Sequence, residues 1–138
     1  MINSNSIASE HVNTKYLTSA ATLKANLPFS EAVQVGNMLY LSGQIGIDPA
    51  TGKLAPGGIA AETKQTMENI KTTLEKYGSS MDKVVKCTVF IDDISKWGAL
   101  NKVYVSYFTK HFPARSALGA DGLALGSAVE IECFATIN

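Results

Sequence analysis

Strict alternation marks the end of the chain. From Ala128 to Ala135, Val129, Ile131 and Cys133 point one way, while Glu130, Glu132 and Phe134 point the other. This predicts a half-buried strand over Ala128–Ile137. Val84–Ile91 is β-branched and almost continuously apolar, which predicts an interior strand. Ala32–Val35 and Met38–Ile45 flank Gly36-Asn37 and read as a hairpin. In its second arm Leu39, Leu41 and Ile45 share a face with Gly43, and Met38, Tyr40, Ser42 and Gln44 share the other. Gly43 inside a strand predicts either a bulge or the close approach of another group. Lys15–Ser19 and Arg115–Ala120 supply two more short strands.

Helical spacing replaces alternation twice. Met67, Ile70, Leu74 and Tyr77 form a stripe that predicts a helix over Ile59–Tyr77, stopped by Gly78. Glu62, Lys64, Glu68, Lys71, Glu75 and Lys76 read as its solvated face. A second helix is expected over Lys96–Lys110, capped by Ser95, with Trp97, Leu100, Tyr104, Tyr107 and Phe108 as its apolar stripe. His111-Phe112-Pro113 ends it. Asn101 lies within that stripe. A polar amide there is either satisfied by backbone in the core or turned toward a cleft.

The remaining stretches read as connections. Ala20–Phe29 is a connector, and Asp48–Gly52 carries turn chemistry. Residues 1–14 are expected to be a flexible extension and residues 15–138 a single domain. The order β-ββ-α-β-α-ββ predicts an α+β fold, a mixed six-stranded sheet with two helices on one face. Both faces of the sheet carry apolar side chains, for example Val85, Cys87, Val89 and Ile91 against Val84, Thr88 and Phe90. The face without helices is therefore expected to meet another subunit.

Composition narrows the chemistry. Twelve Lys+Arg balance twelve Asp+Glu, so no basic field favours nucleic acid. Cys87 and Cys133 both fall in apolar strand-like runs and are expected as reduced core thiols. His11 and His111 have no ligand spacing, so no metal is expected. No apolar run is long enough for a membrane span, and the first residues lack a signal-peptide pattern. A cytoplasmic location is the expectation.

Arg115 and Glu130 are the chemically pointed pair. They lie fifteen residues apart across a connection containing Gly119, Gly122 and Gly126, so they can occupy strands that fold back on each other. One reading is a structural ion pair at a sheet edge. The other is a small-molecule site, in which the Arg grips a carboxylate through a planar fork and the Glu handles water or a proton.

Several separate stretches carry a resemblance. They are Val35-Gly36-Asn37 leading to Ser42-Gly43-Gln44-Ile45, Asp48-Pro49-x-Thr51-Gly52, Glu68-Asn69-Ile70, and Val84-Val85-Lys86-x-Thr88-Val89-Phe90. Asn101 with Tyr104, Pro113-Ala114-Arg115-Ser116 and Val129-Glu130-Ile131-Glu132 complete the set. From about Tyr16 to its end the chain resembles the Rid (YjgF) family of reactive intermediate deaminases. That resemblance implies a chorismate-mutase-like fold and a barrel-like homotrimer with clefts between subunits. It implies cofactor-free hydrolysis of 2-imino or enamine acids to 2-keto acids and ammonia. It also implies that Arg115 binds the substrate carboxylate, that Glu130 orients or activates water, and that Ser42, Gly43 and Asn101 shape the cleft. Two departures stand out. Phe29 replaces a Tyr usual in the deaminases, and Ala117 replaces a frequent Cys, although the backbone at 117 can still serve a carboxylate. Two other readings stay open: a non-catalytic binder of small carboxylic acids, and an RNA-cleaving translation inhibitor.

Overall fold

The computed structural model describes residues 11–137, so residues 1–10 of the expected extension lie outside it. The first element starts one residue earlier than expected. β1 is Thr14–Leu17, and Ser19, expected in that strand, instead caps a short helix, α1 (Ala20–Lys24), in the expected connector. The hydroxyl of Ser19 accepts from the Thr22 N–H, supplying a partner for a helix-start donor.

β2 (Ala32–Val35) and β3 (Met38–Leu41) form the expected hairpin around Gly36, whose φ of +58° suits glycine. The second arm then breaks. Tyr40 sits opposite Phe134 and Gln44 opposite Ile131, so the bulge between them adds one residue to this side. β4 (Gln44–Ile45) resumes the pairing with its alternation inverted. The expected sharing of a face by Leu39, Leu41 and Ile45 therefore fails beyond Leu41. β5 (Ile47–Asp48) and β6 (Lys53–Leu54) make a small hairpin around the Asp48–Gly52 turn, which the pattern did not predict.

α2 (Gly58–Lys76) buries Met67, Ile70 and Leu74 against the sheet. Gly78, at φ +86°, ends it, and the Ser79 N–H closes back on the Leu74 carbonyl at 2.8 Å. Glu62 belongs to the core rather than to the solvated face, because its carboxylate accepts the Ala128 N–H at 2.9 Å. β7 (Val84–Ile91) pairs on both sides, as expected of an interior strand. An irregularity between Val84 and Lys86 turns Val84 inward with Cys87, Val89 and Ile91, and leaves Val85 exposed.

The second long helix is shorter than expected. Asp93, not Ser95, provides the cap, its carboxylate accepting the Ser95 N–H of a 3₁₀ turn at Ile94–Lys96. α3 proper is Trp97–Tyr104. The β-branched and aromatic run that follows tightens into another 3₁₀ turn, and the Ser106 hydroxyl donates to the Val103 carbonyl. β8 (Ala114–Gly119) and β9 (Val129–Thr136) complete a mixed sheet of order β1-β2-β3-β9-β7-β8, with β4 extending β3 along β9. Only β8 runs parallel to its neighbour. Counting the broken arm once, this is the expected six-stranded α+β sheet.

Two expectations are corrected by this strand order. β7 lies between β8 and β9, so Arg115 and Glu130 are not on neighbouring strands. Cys87 and Cys133 sit directly opposite each other on β7 and β9, with Cα atoms 4.1 Å apart, and they form a disulfide instead of two thiols. Both are fully buried. Among the described residues, no helix is long and apolar enough to cross a membrane. No group of three or more His, Cys, Asp or Glu there could hold a metal ion.

The bridge closes a separation of 46 residues. Replacing both cysteines by Ala is expected to lower the thermal midpoint by about 10 °C, from about 3–4 kcal/mol of lost unfolded-state constraint. Thiol titration of the unfolded, unreduced protein checks the premise, since two free thiols there would contradict the bridge.

Candidate functional site

Arg115 comes from the edge strand β8. It lies beside Cys87, which belongs to the buried face, so it points toward the helices. There α3 presents Trp97, Asn101 and Tyr104, spaced one turn apart along one stripe. The guanidinium carbon lies 5.0 Å from the Trp97 ring centroid and 4.7 Å from that of Tyr104. One Nη donates to Asn101 Oδ1 at 2.7 Å. This answers the question posed by Asn101, whose amide oxygen is partnered by Arg115 rather than by backbone. Among the described residues, no ion pair involves Arg115. Ala117, two residues on, faces the same side and packs against the core.

Glu130 faces the other way. It pairs with Phe90 across β7 and with Ile45 across β4, on the face turned from the helices. Its carboxylate lies against Gly43, where any Cβ would overlap it. Both readings of Gly43 therefore hold: the bulge lets the backbone pass, and the missing side chain leaves room for the acid. Ser42 is fixed beside it, its hydroxyl donating to the Ser30 carbonyl at 2.6 Å and its N–H to the Glu31 carbonyl at 3.0 Å. Asn69 steadies the same stretch from α2 by donating to the carbonyls of Ile45 and Ile47. Phe29, Ser42, Gly43, Ile45, Leu125 and Glu130 line one open groove of about 910 Å³.

The candidate residues thus separate into two half-sites. Phe29, Ser42, Gly43 and Glu130 share the groove, while Asn101, Arg115 and Ala117 gather on the helix side of the sheet edge. Within one chain Arg115 and Glu130 are two strand spacings apart across the sheet, about 10 Å, are offset by a further three residues along it, again about 10 Å, and point to opposite faces. The intrachain ion pair is excluded by that geometry.

Glu31 escaped the sequence reading. Its carboxylate accepts from Ser19, Thr22, Tyr77 and Lys76, and so ties α1 and the Phe29 segment to the end of α2. The donors lie 9 to 46 residues away in sequence, so no local pattern could reveal them. Burial opposes the Glu31 charge, but the four donors outweigh it and hold the pKa down at about 2.

Comparison with known proteins was made against this geometry. The family model described as Endoribonuclease L-PSP matches residues 19–137. A Bos taurus protein named 2-iminobutanoate/2-iminopropanoate deaminase is 44% identical over 121 residues, covering 88% of each chain. The crystal structure of an Entamoeba histolytica protein described as a putative endoribonuclease L-PSP superposes with a TM-score of 0.78 at 45% identity. That match covers 80% of this chain and 89% of the other. The YjgF gene product of E. coli superposes at 0.77 with 33% identity, covering 89% and 94%.

The Glu31 network sets an acid limit. Its folded pKa lies below the ordinary 4.5, so its stabilisation is present above about pH 4.5 and is lost as pH falls toward 2. Glu31→Gln is expected to remove about 2 kcal/mol of that acid-dependent stability and to flatten the melting profile across this window. Parallel profiles for variant and wild type would contradict the assignment.

Proposed function

The chain belongs to the Rid family, whose model is described as Endoribonuclease L-PSP, and from that premise we propose that it hydrolyses reactive 2-imino and enamine acids. Substrates such as 2-iminobutanoate or 2-iminopropanoate give the 2-keto acid and ammonia. The observation that carries this reading is the Arg115 guanidinium, held by an amide and two rings and, among the described residues, with no carboxylate partner of its own.

Arg115 receives the substrate carboxylate through its open fork, each charged hydrogen bond contributing about 1.5–3 kcal/mol. β8 is an edge strand, so alternate backbone N–H groups near Ala117 point away from β7 and can reinforce that grip. Glu130 takes a proton from water as its oxygen adds to the C=N carbon. Glu130 returns that proton to the nitrogen, giving a carbinolamine; the hydroxyl proton then moves to the same nitrogen, the C–N bond breaks, and ammonia leaves as the C=O forms. Arg115 supplies orientation in this scheme and Glu130 moves the proton.

The two half-sites complete each other only between copies. The proposed assembly is a homotrimer in which the β8–α3 edge of one copy meets the Glu130 groove of the next. Tyr16, Tyr40, Val85 and Leu118 are exposed large apolar side chains, and the Tyr40 and Phe134 rings pair at 4.9 Å on the open face. Both features support burial there against a second copy. For location, the proposal is the cytoplasm.

Phe29 favours a second reading, a binder of 2-keto acids without turnover, because it brings no hydroxyl to the groove. RNA cleavage gains no comparable support, since zero net charge supplies no basic field. Ammonia release from enzymatically generated 2-iminobutanoate decides among them. Wild type is expected to exceed the buffer rate, Arg115→Ala to lose at least about a hundredfold in kcat/KM, and Phe29→Tyr to equal or exceed wild type. Wild type and Arg115→Ala both at the buffer rate would overturn the activity.

A further inference from the structure

The groups that hold Arg115 are all uncharged. A carboxylate in their place would fix the guanidinium more firmly but would also neutralise it. Aromatic faces and an amide oxygen stabilise a cation without cancelling its charge. We propose that Trp97 and Tyr104, together with Asn101, form a neutral clamp that aims the Arg115 fork while leaving its charge for the substrate carboxylate. Both rings are positioning residues. The inference rests on the preceding reading of Arg115 as the carboxylate binder.

Each part of the clamp has a separate task. Tyr104 is almost fully buried and packs beside Phe108, with ring centroids 4.9 Å apart, so it forms a fixed wall. Trp97 is 39% exposed and covers the guanidinium from the solvent side. Asn101 engages one Nη, which sets the rotation of the planar group and leaves its other N–H donors open. All three come from the two turns of α3, so their spacing does not depend on a loop.

This arrangement predicts a particular kinetic signature. The substrate carboxylate keeps its charge from the bound state to the transition state. Interactions that merely aim its partner therefore contribute equally to both, and their loss raises KM with little change in kcat.

The test compares Trp97→Leu, Trp97→Phe and Asn101→Asp with wild type. The readouts are KM and kcat for 2-iminobutanoate hydrolysis and the calorimetric Kd for 2-oxobutanoate. Trp97→Leu leaves an apolar side chain but removes the π face, and is expected to raise both KM and Kd about tenfold with kcat within about threefold. Trp97→Phe keeps a π face and is expected to recover most of that loss. Asn101→Asp is the sharper variant. It tightens the hold on Arg115 but consumes its charge, and is expected to raise KM and Kd at least about tenfold without lowering the thermal midpoint. Trp97 is the chain's only tryptophan, so 2-oxobutanoate is also expected to change the emission of the wild-type protein.

The clamp is overturned if Leu and Phe at position 97 behave alike, if their effects fall on kcat or melting alone, or if Asn101→Asp binds as wild type does. Were wild type to bind 2-oxobutanoate with the expected order of variants yet release no ammonia, the clamp would stand and the deaminase reading would fail. Were it to bind no carboxylate, the clamp would fall with the role of Arg115.

Discussion

A strand residue shows its side chain to one face of a sheet only. That constraint places Arg115 with the helices and Glu130 on the open side, in every copy of this chain. Side-chain flexibility cannot undo it, because β7 stands between the two and both flanking strands are locked in register. Chemistry that needs both groups must therefore take them from different chains. The apolar open face, the groove beside Glu130 and the Arg115 cation, which has no ion-pair partner among the described residues, all fit that single requirement.

Each half-site is held still by a different means. On the acidic side, a one-residue bulge and a missing side chain let the Glu130 carboxylate lie against the Gly43 backbone, while Asn69 pins the strand after the bulge. The Glu31 carboxylate gathers four donors and fixes the segment that carries Phe29. On the basic side, two rings and an amide orient Arg115. Glu31 is neutralised by its neighbours whereas Arg115, among the described residues, has no acidic partner, and this difference is what supports the proposed ligand-binding role of Arg115.

Much of the fold was legible in the chain. The alternation around Glu130 gave β9 its two faces, and Met67, Ile70 and Leu74 gave α2 its buried stripe. Failures arose where one residue changes the count. The bulge near Gly43 inverted the faces of Gln44 and Ile45, and the irregularity before Lys86 exposed Val85. The Cys87–Cys133 bridge depended on β9 pairing with β7, a long-range choice that local pattern does not encode. For the same reason the spacing of Arg115 and Glu130 suggested neighbouring strands when β7 intervenes. The candidate residues were chosen by type and motif, but their partition between the two faces required the register.

Mixing two inactive variants tests the divided site most directly. Arg115→Ala and Glu130→Gln are each purified, unfolded together in equal amounts and refolded, then assayed for 2-iminobutanoate hydrolysis. A site built from Arg115 of one copy and Glu130 of the next predicts that the mixture regains about one quarter of wild-type activity, the chance that the copy supplying Arg115 and the copy supplying Glu130 each retain that residue. A mixture that refolds into assemblies of wild-type size and remains as inactive as its two components would contradict the account.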